Sequence, residues 1–128
     1  MCGLDAFVRP AIVESKAVSG VLVDLELHRL LYSAIQNKRL MRFAYEDKER
    51  IVEPHDYGIQ KNIARLLSWQ LRGQSSGRIP GWRWFDVAKM HDLEILDTAF
   101  PGNREASSKR HQWDQIFIRV APPETMKN

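Results

Sequence analysis

Apolar residues first recur at helical spacing near residue 30. The stripe falls at i, i+3, i+4, i+7 and i+8 and consists of Leu27, Leu30, Leu31, Ala34 and Ile35. Such spacing predicts an amphipathic helix. Asp24 is the expected N-cap and Asn37 the expected C-terminal stop. We expect the stripe to pack on the elements that follow, although an exposed stripe would suit a dimer contact.

Beyond the helix the period changes to two, which indicates strands. Met41, Phe43 and Tyr45 alternate with other residues, and polar residues 46–49 join this run to 50–52. The pair predicts a β-hairpin. Pro54 should lie at a strand end or a bulge, because proline cannot donate to a ladder. Further strands are predicted over 64–71, 82–87, 92–96 and 115–120.

The predicted fold class is mainly β, with about five strands in a small closed or nearly closed barrel and one N-terminal helix. Three regions are expected: an N-terminal arm over 1–23, the barrel domain with its leading helix over 24–100, and a loop with an extra C-terminal strand over 101–128. The last strand could add to the barrel edge, pack beside the arm, or pair with a second copy of the chain.

Composition is that of one soluble globular domain. The chain has 128 residues, 44% of them hydrophobic and 27% charged. No apolar run approaches the roughly 18 residues that a membrane span needs, so no membrane partner is expected. One cysteine cannot form an intramolecular disulfide, and the N-terminus does not resemble a secretory signal. These features predict a cytoplasmic protein.

Motifs for catalysis or for metal binding are not found in the sequence. The four histidines are scattered, and no pair has the spacing of a zinc motif. No P-loop, nucleophile elbow or dinucleotide fingerprint occurs. We therefore expect no cofactor and no enzyme activity.

Positive charge is concentrated in the middle of the chain, where residues 38–89 hold 11 Lys/Arg against 6 Asp/Glu. Strand positions there carry the cations Arg50, Arg65, Arg83 and Lys89. Neighbouring aromatics are Tyr57, Trp69, Trp82 and Trp84. Basic strands interleaved with aromatics bind nucleotides or single strands in small barrels. Alternatively, the aromatics are core and the arginines pair with acids such as Glu53 or Asp86.

The order of motifs over residues 31–100 resembles the WYL domain family. The matching elements are a helix ending in Ala34-Ile35, a strand ending in Tyr45, Arg50-x-x-x-Pro54, and Arg83-x-Phe85 followed by a basic residue and Met90. The name-giving Trp-Tyr-Leu motif aligns with Ala64-Arg65-Leu66, so only its leucine is kept. Residues 1–23 are too short to supply the helix-turn-helix that usually precedes the domain.

The resemblance implies a Src-homology-3-like, Sm-like β-barrel of the kind found in bacterial transcription regulators and phage-defence proteins. It implies a basic pocket for an anionic ligand such as a nucleotide or single-stranded nucleic acid. The pocket cations would be Arg50 and Arg83, with Lys89 in place of the usual arginine and Tyr45 lining the barrel beside them. Arg65 joins this set as a further strand cation. The expected function is non-catalytic ligand sensing in regulation; the alternative is a protein-interaction or homodimerisation module.

Overall fold

A computed structural model of the chain describes residues 15–18, 20–73, 77–104 and 112–124. These residues form a mainly β structure with one α-helix and two antiparallel sheets, so the mainly β prediction is confirmed. The elements are β1 Ser15–Val18, β2 Val21–Asp24, α1 Leu25–Gln36, β3 Arg39–Tyr45, β4 Lys48–Gln60, β5 Ile63–Gly73, β6 Gly81–Asp86, β7 His91–Ala99 and β8 Gln115–Arg119. A short 3-10 turn, Val87–Lys89, links β6 to β7.

Helix α1 begins and ends where its sequence signals predict. The Asp24 carboxylate accepts hydrogen bonds from the backbone N–H groups of Glu26 at 3.0 Å and Leu27 at 3.2 Å, which caps the first turn. The last three residues of the apolar stripe, Leu31, Ala34 and Ile35, are buried in the main core. The stripe therefore packs on the sheet, with Leu27 and Leu30 at its half-buried margin.

Strand β4 is longer than its sequence pattern predicts. It continues through Pro54 to Gln60, and its register with β5 shifts between Pro54 and Asp56, which makes His55 a bulge residue. The expected position of Pro54 at a bulge is confirmed. Two-residue turns with positive φ join β4 to its neighbours, at Glu46-Asp47 and at Lys61-Asn62.

The larger sheet has the strand order β6-β5-β4-β3-β7. β3 pairs with the first half of β4, and β8 pairs with the second half at Asp56–Ile59. β8 thus pairs with the sheet of its own chain, which is one of the three partners left open by the sequence. Within the described residues no ladder joins the edge strands β6 and β7, so the sheet is not a closed barrel.

The sheet curls around a core in which side chains of the edge strand β6 contact those of β3, although β5 and β4 lie between these strands in the sheet. The Phe85 ring on β6 packs edge-to-face on Phe43 and on Tyr45 of β3, with centroids 4.9 Å apart in both pairs. Leu67 is 1% exposed on the opposite face of β5, and Phe43 and Phe85 are equally buried in this core. Leu66 and Tyr57 complete the same layer below the helix.

The N-terminal region contains a hairpin that the sequence pattern does not predict. β1 and β2 form a separate two-stranded sheet with Gly20, at φ 80°, in its turn. Val23 is buried at 4% exposure, so β2 is anchored to the rest of the chain. Residues 1–14 and 19 of the predicted arm lie outside the described residues.

Candidate ligand-binding face

One face of β4, β5 and β6 collects aromatic and charged side chains. Opposite residues of antiparallel strands share a face, so the register places them in three rows across the sheet. The rows are Glu53–Trp69–Trp82, Asp56–Leu67–Trp84 and Gly58–Arg65–Asp86. We call this surface the tryptophan face. Trp113, which precedes β8, lies against it with its ring 5.6 Å from Trp84.

Two of the cations expected from the sequence meet at Asp86 on this face. The Arg65 Nε lies 3.2 Å from Asp86 Oδ1, and the Lys89 Nζ lies 3.7 Å from Asp86 Oδ2. The Arg65 guanidinium also stacks over the Trp84 ring, 4.8 Å from its centroid. The side chain of Lys89 is 66% exposed, whereas that of Arg65 is 24% exposed, with Nε buried and Nη1 donating to Gln60 Oε1 at 3.0 Å. Two partly exposed cations thus lie beside an aromatic plane.

Arg50 and Tyr45 lie beneath this cluster, on the core side of the sheet. Arg50 is only 4% exposed, and its guanidinium donates to Gln70 Oε1 and to the Tyr45 carbonyl, both at 3.3 Å. Glu46 provides a carboxylate at 3.4 Å. The Tyr45 hydroxyl accepts a hydrogen bond from the Asp86 backbone N–H at 3.0 Å. In this structure Arg50 therefore supports Tyr45, which in turn holds the end of β6.

Arg83 lies apart from the other four predicted site residues. It faces the core side of β6, opposite Ser68, whereas Asp86 belongs to the tryptophan face. Its guanidinium folds back on the backbone that leads into β6 and donates to the Trp82 carbonyl at 2.7 Å and to the Arg78 carbonyl. The structure thus brings Arg65 and Lys89 together at Asp86 on the tryptophan face, places Tyr45 and Arg50 on the core side of the sheet, and turns Arg83 to the backbone that leads into β6. The binding roles of all five stay predictions.

A second cluster on the tryptophan face, formed by Arg104, Glu53 and Trp69, was not identified from the sequence. The Arg104 Nε and Nη2 groups donate to the two carboxylate oxygens of Glu53 at 3.0 and 3.1 Å. The same guanidinium lies 4.5 Å from the Trp69 ring centroid. Trp69 in turn packs edge-to-face on Trp82 at 5.2 Å. No periodic pattern surrounds Arg104, so only the fold could reveal its partners.

The bulge residue His55 connects this second cluster to the core. Its Nε2 accepts a hydrogen bond from the Arg104 backbone N–H at 3.1 Å, so Nδ1 carries the proton that is donated to the Glu53 carbonyl at 2.9 Å. Burial lowers the pKa of His55 to about 4, with the nearby Arg104 charge acting in the same direction. The ring is therefore neutral at pH 7 and acts as a fixed structural link.

Asp56 is a buried carboxyl group under the tryptophans. It is 1% exposed, and no described residue hydrogen-bonds its Oδ2. Burial raises its pKa to about 6, while Arg119, paired opposite it on β8, opposes that shift. A carboxyl group with this pKa is largely ionised at pH 7 and carries a desolvation cost.

Gly58 allows the backbone of β8 to approach this face closely. A Cβ at Gly58 would lie 2.3 Å from the Gln115 carbonyl oxygen, 2.9 Å from the Ile116 Cα and 3.1 Å from the Trp113 ring. Any larger residue would therefore push β8 away. This glycine sets the position of Trp113 beside Trp84.

The chain matches no protein-family model, and no curated protein or solved structure is significantly similar to it. The resemblance to WYL domains therefore stays a prediction. Among the described residues, no helix is long and apolar enough to cross a membrane. The same part of the chain contains no group of three or more His, Cys, Asp or Glu residues arranged to hold a metal ion.

Proposed function

We propose that this protein is a non-catalytic module that binds an anionic, ring-bearing ligand, a nucleotide or single-stranded nucleic acid, on the tryptophan face. The observation that carries the proposal is the Arg65 guanidinium stacked over Trp84 with Lys89 sharing the same acid, Asp86. An aromatic plane offers a stacking surface to any base, and the two cations offer contacts to a phosphate.

Asp86 acts as an internal anion at this site. In the free protein it neutralises Arg65 and Lys89, and a bound phosphate would take over one or both of these contacts. Because the sheet and the Tyr45 hydroxyl hold the Asp86 backbone, the carboxylate can turn away without unfolding β6. The net electrostatic gain is then the difference between the cation–phosphate contacts that form and the cation–Asp86 contacts that they replace. Base stacking adds to this gain.

The cations expected from the sequence have different roles in this proposal. Arg65 and Lys89 contact the ligand, while Arg50 and Tyr45 support β6 from the core side. The proposal also includes a regulatory role for the protein and a WYL-like, barrel-type fold for the curled sheet. Its support is the matched order of motifs and the side-chain contact of Phe85 with Phe43 and Tyr45 across the curled sheet.

The experiment that tests the proposal is a titration of the protein with thymidine 5′-monophosphate and with a short oligothymidylate at low salt. Arg65→Gln should weaken binding by about ten- to a hundredfold, because it removes a charge-assisted contact and keeps a side chain of similar length. Asp86→Asn should tighten binding by about fivefold or more, because it removes the competing charge a few ångströms from the phosphate.

Arg42→Gln is the matched control. Arg42 also lies on a strand and pairs with an acid on the neighbouring strand, Glu94, but it is on β3 and away from the tryptophans. This variant should bind as the wild type does. The proposal fails if neither probe binds the wild-type protein, or if Arg65→Gln and Arg42→Gln bind equally well.

A protein-interaction role is the second candidate, and one observation favours it. Leu22 is 74% exposed and Ile63 is 42% exposed, and both line an apolar groove of about 490 Å³ between β2, the β4–β5 turn and the Val87–Lys89 turn. Exposed apolar side chains of this size suit a contact with a second copy of the chain. Sedimentation of the wild type and of Leu22→Asp tests this: a dimer that Leu22→Asp dissociates would support it.

A further inference from the structure

The tryptophan face repeats one arrangement twice. In the first group Arg65 stacks over Trp84 and pairs with Asp86; in the second, Arg104 stacks over Trp69 and pairs with Glu53. Each stacked tryptophan also has an aromatic neighbour: Trp113 beside Trp84 at 5.6 Å, and Trp82 beside Trp69 at 5.2 Å. We call the first set, Arg65, Trp84, Asp86 and Trp113, the Trp84 group. We call the second set, Arg104, Trp69, Glu53 and Trp82, the Trp82 group.

From this repetition we infer that the face holds two nucleotide subsites, so that its ligand is a single strand of two or more nucleotides rather than a mononucleotide. This inference rests on the proposed function, which needs only the Trp84 group. The Trp82 group supplies the second subsite, with Trp82 and Trp69 as its stacking surface and Arg104 as its cation.

The spacing of the two groups fits successive bases of an extended strand. Trp82 and Trp84 are two residues apart on β6 and share a face, so their Cα atoms are about 7 Å apart along the strand. Bases of one strand stacked on each other are only about 3.4 Å apart. At twice that distance each base would stack on the protein instead of on its neighbour, as in sequence-tolerant single-strand binding.

The second group has the same charges as the first, with a more exposed arginine and a more buried acid: side-chain exposures are 43% and 7% for Arg104 and Glu53, against 24% and 25% for Arg65 and Asp86. The Arg104 side chain keeps this exposure although its Nε and Nη2 groups both contact Glu53. Trp69 and Trp82 are both half-buried. Arg104 thus lies at the surface with its charge held by an acid, as Arg65 is held by Asp86. Because the Glu53 carboxylate is buried and held by both contacts, a phosphate would bind the exposed part of the Arg104 side chain beside this pair and would leave the pair intact.

The test uses the indole N–H signals of the full-length protein in a proton–nitrogen NMR spectrum. The chain has four tryptophans, so it gives four such signals, each assigned from its single Trp→Phe variant. Thymidine 5′-monophosphate should shift the signals of Trp84 and Trp113 only. A 5′-phosphorylated dithymidylate should also shift those of Trp69 and Trp82 and bind about tenfold more tightly.

Thymidine 5′-diphosphate is the matched control probe, because it carries two phosphates but a single base. It should bind less tightly than the dinucleotide and leave Trp82 unshifted. If it reproduces both the affinity and the shifts of the dinucleotide, the gain comes from charge and the second subsite is refuted. Equal affinity of the mono- and dinucleotide, with shifts confined to Trp84 and Trp113, refutes it too, while the proposed function stands. Failure of every probe to bind refutes the proposed function itself.

Substitutions in the Trp82 group provide the second measurement. Trp82→Leu should lower the affinity for the dinucleotide to that for the mononucleotide, and Trp82→Phe should restore most of it. Arg104→Gln should also lower the affinity for the dinucleotide. Because Arg104 lies outside the strands, this variant provides the test if Trp82→Leu does not fold. If Arg104→Gln and a folded Trp82→Leu both bind the dinucleotide as the wild type does, the second subsite does not exist.

Discussion

The neighbours His55 and Asp56 should have opposite and nearly equal effects on stability as pH changes. Burial lowers the pKa of His55 to about 4 and raises that of Asp56 to about 6. Both side chains are at most 1% exposed, so solvent screens these shifts little. Replacing either residue should therefore uncover the pH dependence that the other one produces.

The sign of each effect follows from which state binds more protons. For His55 the unfolded chain binds the extra proton between about pH 6.5 and pH 4, so acid destabilises the fold by about 3 kcal/mol over this range. For Asp56 the folded chain binds it between about pH 6 and pH 3.8, so acid stabilises the fold by about 3 kcal/mol. The two contributions cancel to within about 1 kcal/mol.

Urea denaturation of wild type, Asp56→Asn and His55→Gln at pH 4, 5, 6 and 7 measures this balance. Other titrating groups are common to the three proteins, so differences between their profiles isolate the pair. Between pH 7 and pH 4, Asp56→Asn should lose about 3 kcal/mol relative to the wild type and His55→Gln should gain about as much. Parallel profiles for all three proteins would refute the reasoning, because they would mean that neither group is desolvated in the fold.

Two further substitutions test the support of the site. Gly58→Ala should lower the free energy of unfolding by roughly 1–3 kcal/mol and speed amide exchange in β8, because its Cβ meets the Gln115 carbonyl at 2.3 Å; wild-type exchange in β8 would contradict this. Arg50→Glu should cost about 3–5 kcal/mol in urea denaturation, because it buries an unpaired charge, whereas Arg50→Met should cost about 1 kcal/mol. Equal stability of the two Arg50 variants would contradict a buried role for this residue.

Local signals in the sequence were sufficient for the helix and for the first hairpin. The Asp24 cap, the apolar stripe and the alternation ending at Tyr45 each depend on neighbours along the chain, and each is present as predicted. The β1–β2 hairpin was missed because strands of four residues are too short for a period of two to be recognised. Whether a curled sheet closes into a barrel depends on contacts between distant strands, which no local pattern determines, and the described strands do not close.

The tryptophan face could be predicted only in part. Strict alternation puts Arg65, Leu67 and Trp69 on one face, and the structure agrees. On β4, however, alternation would put Glu53 and Asp56 on opposite faces. The bulge at His55 adds one residue and brings both acids to the same face. Pro54 predicts either a strand end or a bulge but does not distinguish them, so the positions of the buried acid and of the Glu53–Arg104 pair could not be derived from the sequence.

If the tryptophan face binds a ligand as proposed, the acids that hold Arg65 and Arg104 would also affect which ligands it selects. Asp86 is joined to β6, so its carboxylate competes with a free anion at an effective concentration in the millimolar range. Inorganic phosphate would have to exceed that concentration to displace it. A nucleotide gains stacking energy of about 1–3 kcal/mol per base in addition, which a carboxylate cannot provide. Paired arginines over tryptophans would therefore discriminate against simple anions and favour ligands that combine phosphate with an aromatic base.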